Sequence, residues 1–315
     1  MPQLTAAIPQ TKSSEPKQQQ LSAMNPIAVD AQYMALSEGK HMKIAVISDI
    51  HGNLNALRAV LAEIDREDVD SIINCGDTLG GPLESAKTAD LLMARGIPMI
   101  AGNHERQLLT LPSDKLNRSD AWTASEINAE HRAWLASAPP TRWLADDVFI
   151  CHGTPTSDLH YWLETITDDF GQHGSDSPRC SDSPRCSVGV RPATHEEIFK
   201  RLGQGEHTQK ATLIICGHTH VPRVVQVKSP DGGHAITVVN AGSVGLPGYD
   251  DIHPHKHWIE TGSPHARYAL IEQTALGWNV QLRSVAYDFE PIAQLAEQRG
   301  RPDWALPLRT GRMSA

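Results

Sequence analysis

Apolar residues follow two rhythms along this chain. Short apolar runs occupy 43–48, 71–75, 97–101, 148–151 and 212–216, and compact runs of that kind bounded by polar positions predict buried strands. Between the first two, Leu54, Leu57, Leu61 and Ile64 recur at three- and four-residue steps, which places them on one face of a helix. A second helical stretch passes through Ala89, Leu92 and Met93, and a third covers 126–136. Strands alternating with helices predict a parallel sheet with helices outside it. Beyond residue 220 the rhythm changes. The segments 223–227, 235–239, 267–272 and 278–285 are separated by Gly, Pro and Asp turns, which predicts a second, largely antiparallel sheet. Two sheets packed face to face, with helices on both outer sides, would bury both sets of strands. A short helix over 292–299 and a loose tail are expected to close the chain.

The ends and one insertion read differently. Residues 1–41 are rich in Gln, Ser, Pro and Lys without periodic apolar spacing, so a disordered tail is expected, followed by a single domain over 42–315. A flexible insertion is expected near 171–191, where Ser-Asp-Ser-Pro-Arg-Cys at 175–180 recurs at 181–186. Its Cys180 and Cys186 could make a redox or metal loop, but the surrounding Ser, Pro and Gly favour a duplicated surface segment.

Composition narrows the possibilities. With 315 residues, 40% hydrophobic and 21% charged, the chain is ordinary globular protein, too long to need a disulfide scaffold. No apolar run approaches the roughly 20 residues that span a bilayer. The N-terminus lacks the cationic start and apolar stretch of a secretory signal, and Cys75, Cys151 and Cys216 end apolar runs as small buried thiols would. A cytoplasmic protein with reduced thiols is expected. A net charge of -9 argues against a nonspecific grip on nucleic acid, and no basic stripe suggests a nuclease. Nothing in the sequence fixes the oligomeric state.

Sixteen His residues change the picture, since His is the commonest metal ligand and the usual proton carrier near neutral pH. Ligands of open α/β sheets bind beyond the strands' carboxyl ends. There the sequence places Asp49 and His51 after the first strand, Asp77 after the second, Asn103 and His104 after the third, His152 after the fourth, and His218 and His220 after the fifth. All are oxygen or nitrogen donors, and two cations a few ångströms apart need a bridging carboxylate and several further ligands. Asp49-Ile50-His51 and His218-Thr219-His220 set two donors at alternate positions, and adjacent glycines let the backbone turn sharply. A lone His-x-His would be weak evidence; the full set in this order is specific.

At these residues the sequence resembles the calcineurin-like metallophosphoesterases, and most closely their compact prokaryotic phosphodiesterases. It carries Asp49-Ile-His51, Gly76-Asp-Thr-Leu-Gly80, Gly102-Asn-His-Glu105, Cys151-His-Gly153 and Gly217-His-Thr-His220. The resemblance runs from Met42 towards the end and implies an α/β fold, a four-layer αββα sandwich of two mixed sheets flanked by helices. It implies one metal held by Asp49, His51, Asp77 and His220, and a second held by Asp77, Asn103, His152 and His218, with Asp77 bridging. Two divalent transition metals are implied, Mn first, with Fe, Ni, Co or Zn as alternatives. The mechanism expected is in-line attack on phosphorus by a metal-bridging hydroxide, with Asp77 between the metals and His104 protonating the departing oxygen. Glu105 is expected to orient His104.

The substrate implied is a small phosphate ester, a phosphodiester ahead of a monoester. The same centre could serve a phosphoprotein or dinucleoside polyphosphate phosphatase, and a non-catalytic scaffold would be expected to have lost His104 or a ligand. Lesser features have plainer readings. Arg223 reads as a surface or salt-bridged Arg rather than a phosphate contact, and Asn240, Gly242 and Ser243 as either support for the site or a turn. The His253-Pro-His-Lys-His257 cluster reads as a solvated loop, and Trp122, Trp134, Trp143 and Trp162 as helix packing.

Overall fold

A computed structural model describes residues 42–172 and 188–314. The expected tail at 1–41 and the repeated Cys180 and Cys186 segments lie outside the described residues.

Strand β1 (Lys43–Ile47) pairs in parallel with β2 (Ser71–Asn74), Val46 facing Ile73. On its other side β1 takes β12 (Ala266–Thr274) antiparallel, and β13 (Gly277–Val285) forms the outer edge. The second sheet runs in the order β3 (Thr141–Ala145), β4 (Val148–Cys151), β7 (Leu213–Cys216), β9 (Ala235–Asn240) and β8 (Arg223–Lys228). There β4, β7 and β9 are parallel, while β3 and β8 are antiparallel edges. Two hairpins stand apart, β5 (Glu164–Ile166) with β6 (Val190–Pro192), and β10 (Gly248–Asp251) with β11 (His257–Glu260). The early parallel and late antiparallel strands therefore do not make separate sheets; each sheet is mixed and receives two late strands. Alternation shows that a strand is buried on a face but not which neighbour it pairs with. Segment 97–101 contributes only an isolated bridge, Asn74 to Met99, consistent with Pro98, which has no N–H to give a ladder.

Alternation along the strands explains the layers. Ile44 and Val46 point between the sheets, where they meet Ile73, Ile150, Ile215 and Ile271. Ala45 and Ile47 point the other way, against Leu57, Val60 and Leu61 of α1 (Leu54–Ile64). On the far side Phe149, Ile214 and Val238 meet Ile198 and Leu202 of α6 (His195–Leu202). The result is the expected αββα order. Helix α2 (Ser85–Arg95) packs beside α1 and ends at Gly96, whose φ of 60° suits a residue without Cβ.

Two helical readings change. The stretch at 126–136 shortens to α5 (Ala129–Ala136), because Asn128 starts the helix by accepting a hydrogen bond from the His131 amide at 2.9 Å, while Glu126 ends a separate helix that the pattern did not mark, α4 (Arg118–Glu126). At the C-terminus α8 (Glu290–Gln298) is followed by a further helix, α9 (Pro302–Thr310), in place of a loose tail. Its Trp304 and Leu308 pack on Leu83 and Ile292. Helices α3 (Asn103–Thr110) and α7 (Glu206–Lys210) complete the described set. Among the described residues no helix is long and apolar enough to cross a membrane.

Candidate functional site

The loops beyond β1, β2, β4 and β7 converge where the two sheets meet. The Asp49 amide donates to the Gly76 carbonyl at 3.0 Å and the His51 amide to that of Asp77 at 3.1 Å, joining the loops of one sheet. Across to the other sheet, the His218 amide donates to both Asp49 carboxylate oxygens at 3.1–3.2 Å. The candidate ligands thus come from both sheets, not from one edge. Backbone sterics are spent here: the residues other than glycine with positive φ among the described residues are Asp49, His51, Asp77, His218 and His220. Such left-handed conformations cost about 1–3 kcal/mol each and persist where the surroundings impose them. Gly102 is required for a different reason, since a Cβ there would run into the Asp77 carboxylate.

Two clusters result. Asp49, His51 and His220 bring one ligand atom each within 4.8 Å of one another, and Asp77, His152 and His218 do the same beside them. The imidazoles are fixed from behind. Nδ1 of His51 bonds the Gly80 carbonyl at 2.6 Å, Nδ1 of His152 that of Cys75 at 2.7 Å, Nδ1 of His220 that of Leu246 at 2.6 Å, and Nε2 of His218 that of Leu159 at 3.0 Å. A carbonyl only accepts, so each of these nitrogens carries its hydrogen and the other nitrogen of a neutral ring presents a lone pair to the site.

Those lone pairs crowd one another. His51 Nε2 lies 3.1 Å from His220 Nε2, and His152 Nε2 lies 2.9 Å from Asp77 Oδ2. One end of the Asn103 amide stands 3.2 Å from Asp77 Oδ2 and 3.0 Å from His218 Nδ1. With its nitrogen there the amide donates to both; with its oxygen there, three electron-pair donors face a common point. Converging acceptors at such distances repel unless a positive charge stands among them. Burial holds His51 down at about 3 and His218 down at about 4, so both stay neutral. Burial also opposes charge on His152, but Asp77 outweighs it and raises the ring to about 10. Burial works against the Asp77 carboxylate too, yet His152 and His104 hold it well below the usual carboxylate range. These groups favour positive charge between them, which a proton or a metal cation can supply, and the mixture of imidazole, carboxylate and amide fits a pair of divalent cations.

His104 belongs to neither cluster. It lies in the first turn of α3, its ring centroid 5.2 Å from that of His51, and its amide donates to Asp77 Oδ1 at 2.9 Å. Its Nδ1 is held at 2.6 Å by Asp120 Oδ1, from the start of α4, and Asn117 Nδ2 donates to the other oxygen of Asp120 at 2.7 Å. Burial lowers its basicity, but Asp77 and the bonded Asp120 outweigh that and raise it to about 9. Glu105 does not orient His104. Consecutive residues of a helix do not face one another, and Glu105 turns back to accept from the amides of Gly102, Asp77 and Thr78 at 2.8–2.9 Å, locking two ligand loops together. Asp120 carries no motif; its only sequence signal is the Asn117 cap three residues before it.

The lesser candidates resolve plainly. Arg223 pairs with buried Glu164 at 3.0 Å. Asn240 donates to the Gly217 carbonyl and Ser243 to that of Asp49, both at 2.7 Å, so they support the ligand loops. His253 is exposed as expected of a solvated loop, whereas His257 is buried and bonds the Tyr161 hydroxyl at 2.9 Å. Trp162 is buried in the core and Trp143 packs on Phe149; the Trp beside the site is Trp304, 6.0 Å from His51 between ring centroids.

A cavity of about 740 Å³ opens over both clusters, within the size range of small-molecule sites. It extends to two sides. Beyond His104 it is walled by Gln107, Asn117, Arg118 and Arg301; beyond His218 it is walled by Tyr161, Glu164, Tyr249 and Asp250.

Comparison with known proteins agrees with this picture. The family profile for calcineurin-like phosphoesterases matches residues 42–222. An uncharacterized protein of Methanocaldococcus jannaschii is 23% identical over 283 residues, covering 83% of this chain and 94% of its own length. The structure of a metallophosphoesterase from Sphaerobacter thermophilus superposes with a TM-score of 0.59 at 24% identity, over 86% of this chain and 99% of that one. A hypothetical protein from Pyrococcus horikoshii OT3 gives 0.60 at 17% identity, over 87% of this chain and 100% of its own. Both share the fold.

Proposed function

Since the chain belongs to the calcineurin-like phosphoesterases and is a hydrolase of phosphoric esters, we propose that it cleaves a small phosphodiester at a centre of two divalent metals. Asp49, His51, Asp77 and His220 would hold one ion, and Asp77, Asn103, His152 and His218 the other. The two converging donor clusters, with the Nε2 lone pairs of His51 and His220 facing each other at 3.1 Å, are the observation that supports this set. Mn is the metal we favour, with Fe, Ni, Co and Zn compatible with the same donors. The cations, when bound, would neutralise phosphate oxygens and bring the pKa of a water between them towards neutrality.

The protein's own groups do the rest. Asp77 sets the spacing of the two ligand clusters, with Oδ1 pinned by the His104 amide and Oδ2 turned to His152. His104 presents Nε2 towards the cavity while Asp120 holds Nδ1, so it can give a proton to the departing alkoxide. Asp120→Asn should therefore lower kcat roughly 10- to 100-fold, by freeing the ring to turn and to take the wrong tautomer, with KM and bound metal little changed. Steady-state kinetics beside metal analysis checks this, and a parallel fall in metal content would contradict it.

A diester has two alcohols to house and a monoester one. The two-sided cavity is what favours the diester. Comparing kcat/KM for an aryl phosphodiester and the matching monoester tests this: the diester should lead, and a reversed order would favour the phosphomonoesterase reading. Buried, free Cys75, Cys151 and Cys216 suit a reducing compartment, and the cytoplasm is the location we favour.

A further inference from the structure

The cavity is electrically lopsided. Three arginines line it: Arg118, Arg201 and Arg301. Arg201 is committed to the Trp162 and Glu164 carbonyls and the Thr165 hydroxyl at 2.8–3.0 Å. Arg301 is committed to Asp303 and to the Ser119 hydroxyl. Arg118 has no carboxylate partner among the described residues; it donates to the Gly300 carbonyl at 3.2 Å, and the side chain is otherwise exposed in the cavity. Around the hydrogen-bonded Tyr161 and Tyr249 the lining carries Asp250 and Asp251, while Glu164 there is already paired with Arg223 and Arg201 is already engaged.

Position gives this charge a meaning. Arg118 opens α4, the helix whose Asp120 holds His104. A proton donor must stand beside the departing oxygen, so the departing alcohol lies on the His104 side, along Gln107, Asn117 and Arg118. The retained alcohol then lies along the tyrosines and acids, where a further negative charge would meet Asp250 and Asp251.

Resting on the phosphodiesterase reading above, we propose that Arg118 determines specificity by binding an anionic group carried by the departing alcohol. The preferred substrate is a diester whose leaving alcohol bears a carboxylate or phosphate and whose retained alcohol is uncharged or cationic. A guanidinium suits either anion because its N–H groups can engage two oxygens together.

The test uses the metal-loaded full-length protein and two diesters sharing a methyl group on the retained side. One has 4-nitrophenol as its leaving group, the other 3-carboxy-4-nitrophenol. The native protein should favour the carboxylate ester by about tenfold in kcat/KM, the scale of one hydrogen-bonded charge pair partly shielded from water. The preference should shrink with added salt. In Arg118→Ala the ratio should fall to about one, in Arg118→Lys it should persist in part, and in Arg118→Glu it should reverse. Arg118 is the exposed first residue of its helix, where Ala is well tolerated, and circular dichroism checks that the fold is retained. Equal kcat/KM for the two esters in the native protein, or a ratio unmoved by Arg118→Ala, would overturn the assignment of Arg118 alone. Hydrolysis of neither ester would overturn the phosphodiesterase reading and this proposal with it.

Discussion

Asp77→Asn is expected to abolish phosphoester hydrolysis, lowering kcat by about 1,000-fold or more, while leaving the fold intact. The substitution keeps shape and can keep the hydrogen bond from the His104 amide, now at 2.9 Å. What it removes is the negative charge between the clusters, which faces His152 Nε2 at 2.9 Å and the Asn103 amide at 3.2 Å. Metal affinity should fall by more than the roughly 10- to 100-fold that loss of an outer partner costs. Stability supplies a second readout. Burial opposes the Asp77 charge, but His152 and His104 outweigh it and hold the carboxyl well below the usual range, so the charge stabilises the metal-free fold at neutral pH and the metal-free variant should melt below the metal-free native protein. Calorimetry of both metal-free proteins, with metal analysis after reloading, checks the two halves together. A variant that binds two metals with native affinity would contradict the bridging role.

His104→Ala should act in the opposite manner. Metal content should stay native, because His104 lies outside both clusters and its nearest commitment is to Asp120. Turnover of an alkyl diester should fall by about 100- to 10,000-fold, the usual worth of a positioned proton donor. With a nitrophenol leaving group the loss should be much smaller, since that phenolate departs without needing the proton. This dependence on the leaving group separates a proton donor from a ligand or a packing residue, either of which would depress both substrates alike.

Much of the candidate site was legible in the sequence because its donor residues sit at strand ends. Apolar runs such as 148–151 mark the strand, and the residue next in line, His152, inherits its place from the strand. The αββα layering was legible for a related reason: alternate residues of 43–47 serve two different cores. Pairing was not. The hydrophobic pattern of 266–274 would suit either sheet, and only its register against β1, with Ala45 facing Leu270, decides. Helix α9 was hidden by Pro302 and Pro307, which read as breaks, although Pro302 sits in the first turn where no amide partner is needed. The support of His104 was misread from adjacency. Glu105 follows it in sequence, but the helix turns Glu105 towards the Asp77 loop and leaves Asp120, sixteen residues on, to meet the imidazole. The substrate-facing walls were the least legible part, because Tyr249, Arg301 and Trp304 come from beyond the matched family region and carry no motif.

The most direct test of the two-metal account is a titration. Protein stripped with chelator should not hydrolyse an aryl phosphodiester, and stepwise addition of Mn should restore activity, with full activity reached at two bound ions per chain. Full activity in the stripped protein, or a plateau reached with a single ion bound, would contradict the account.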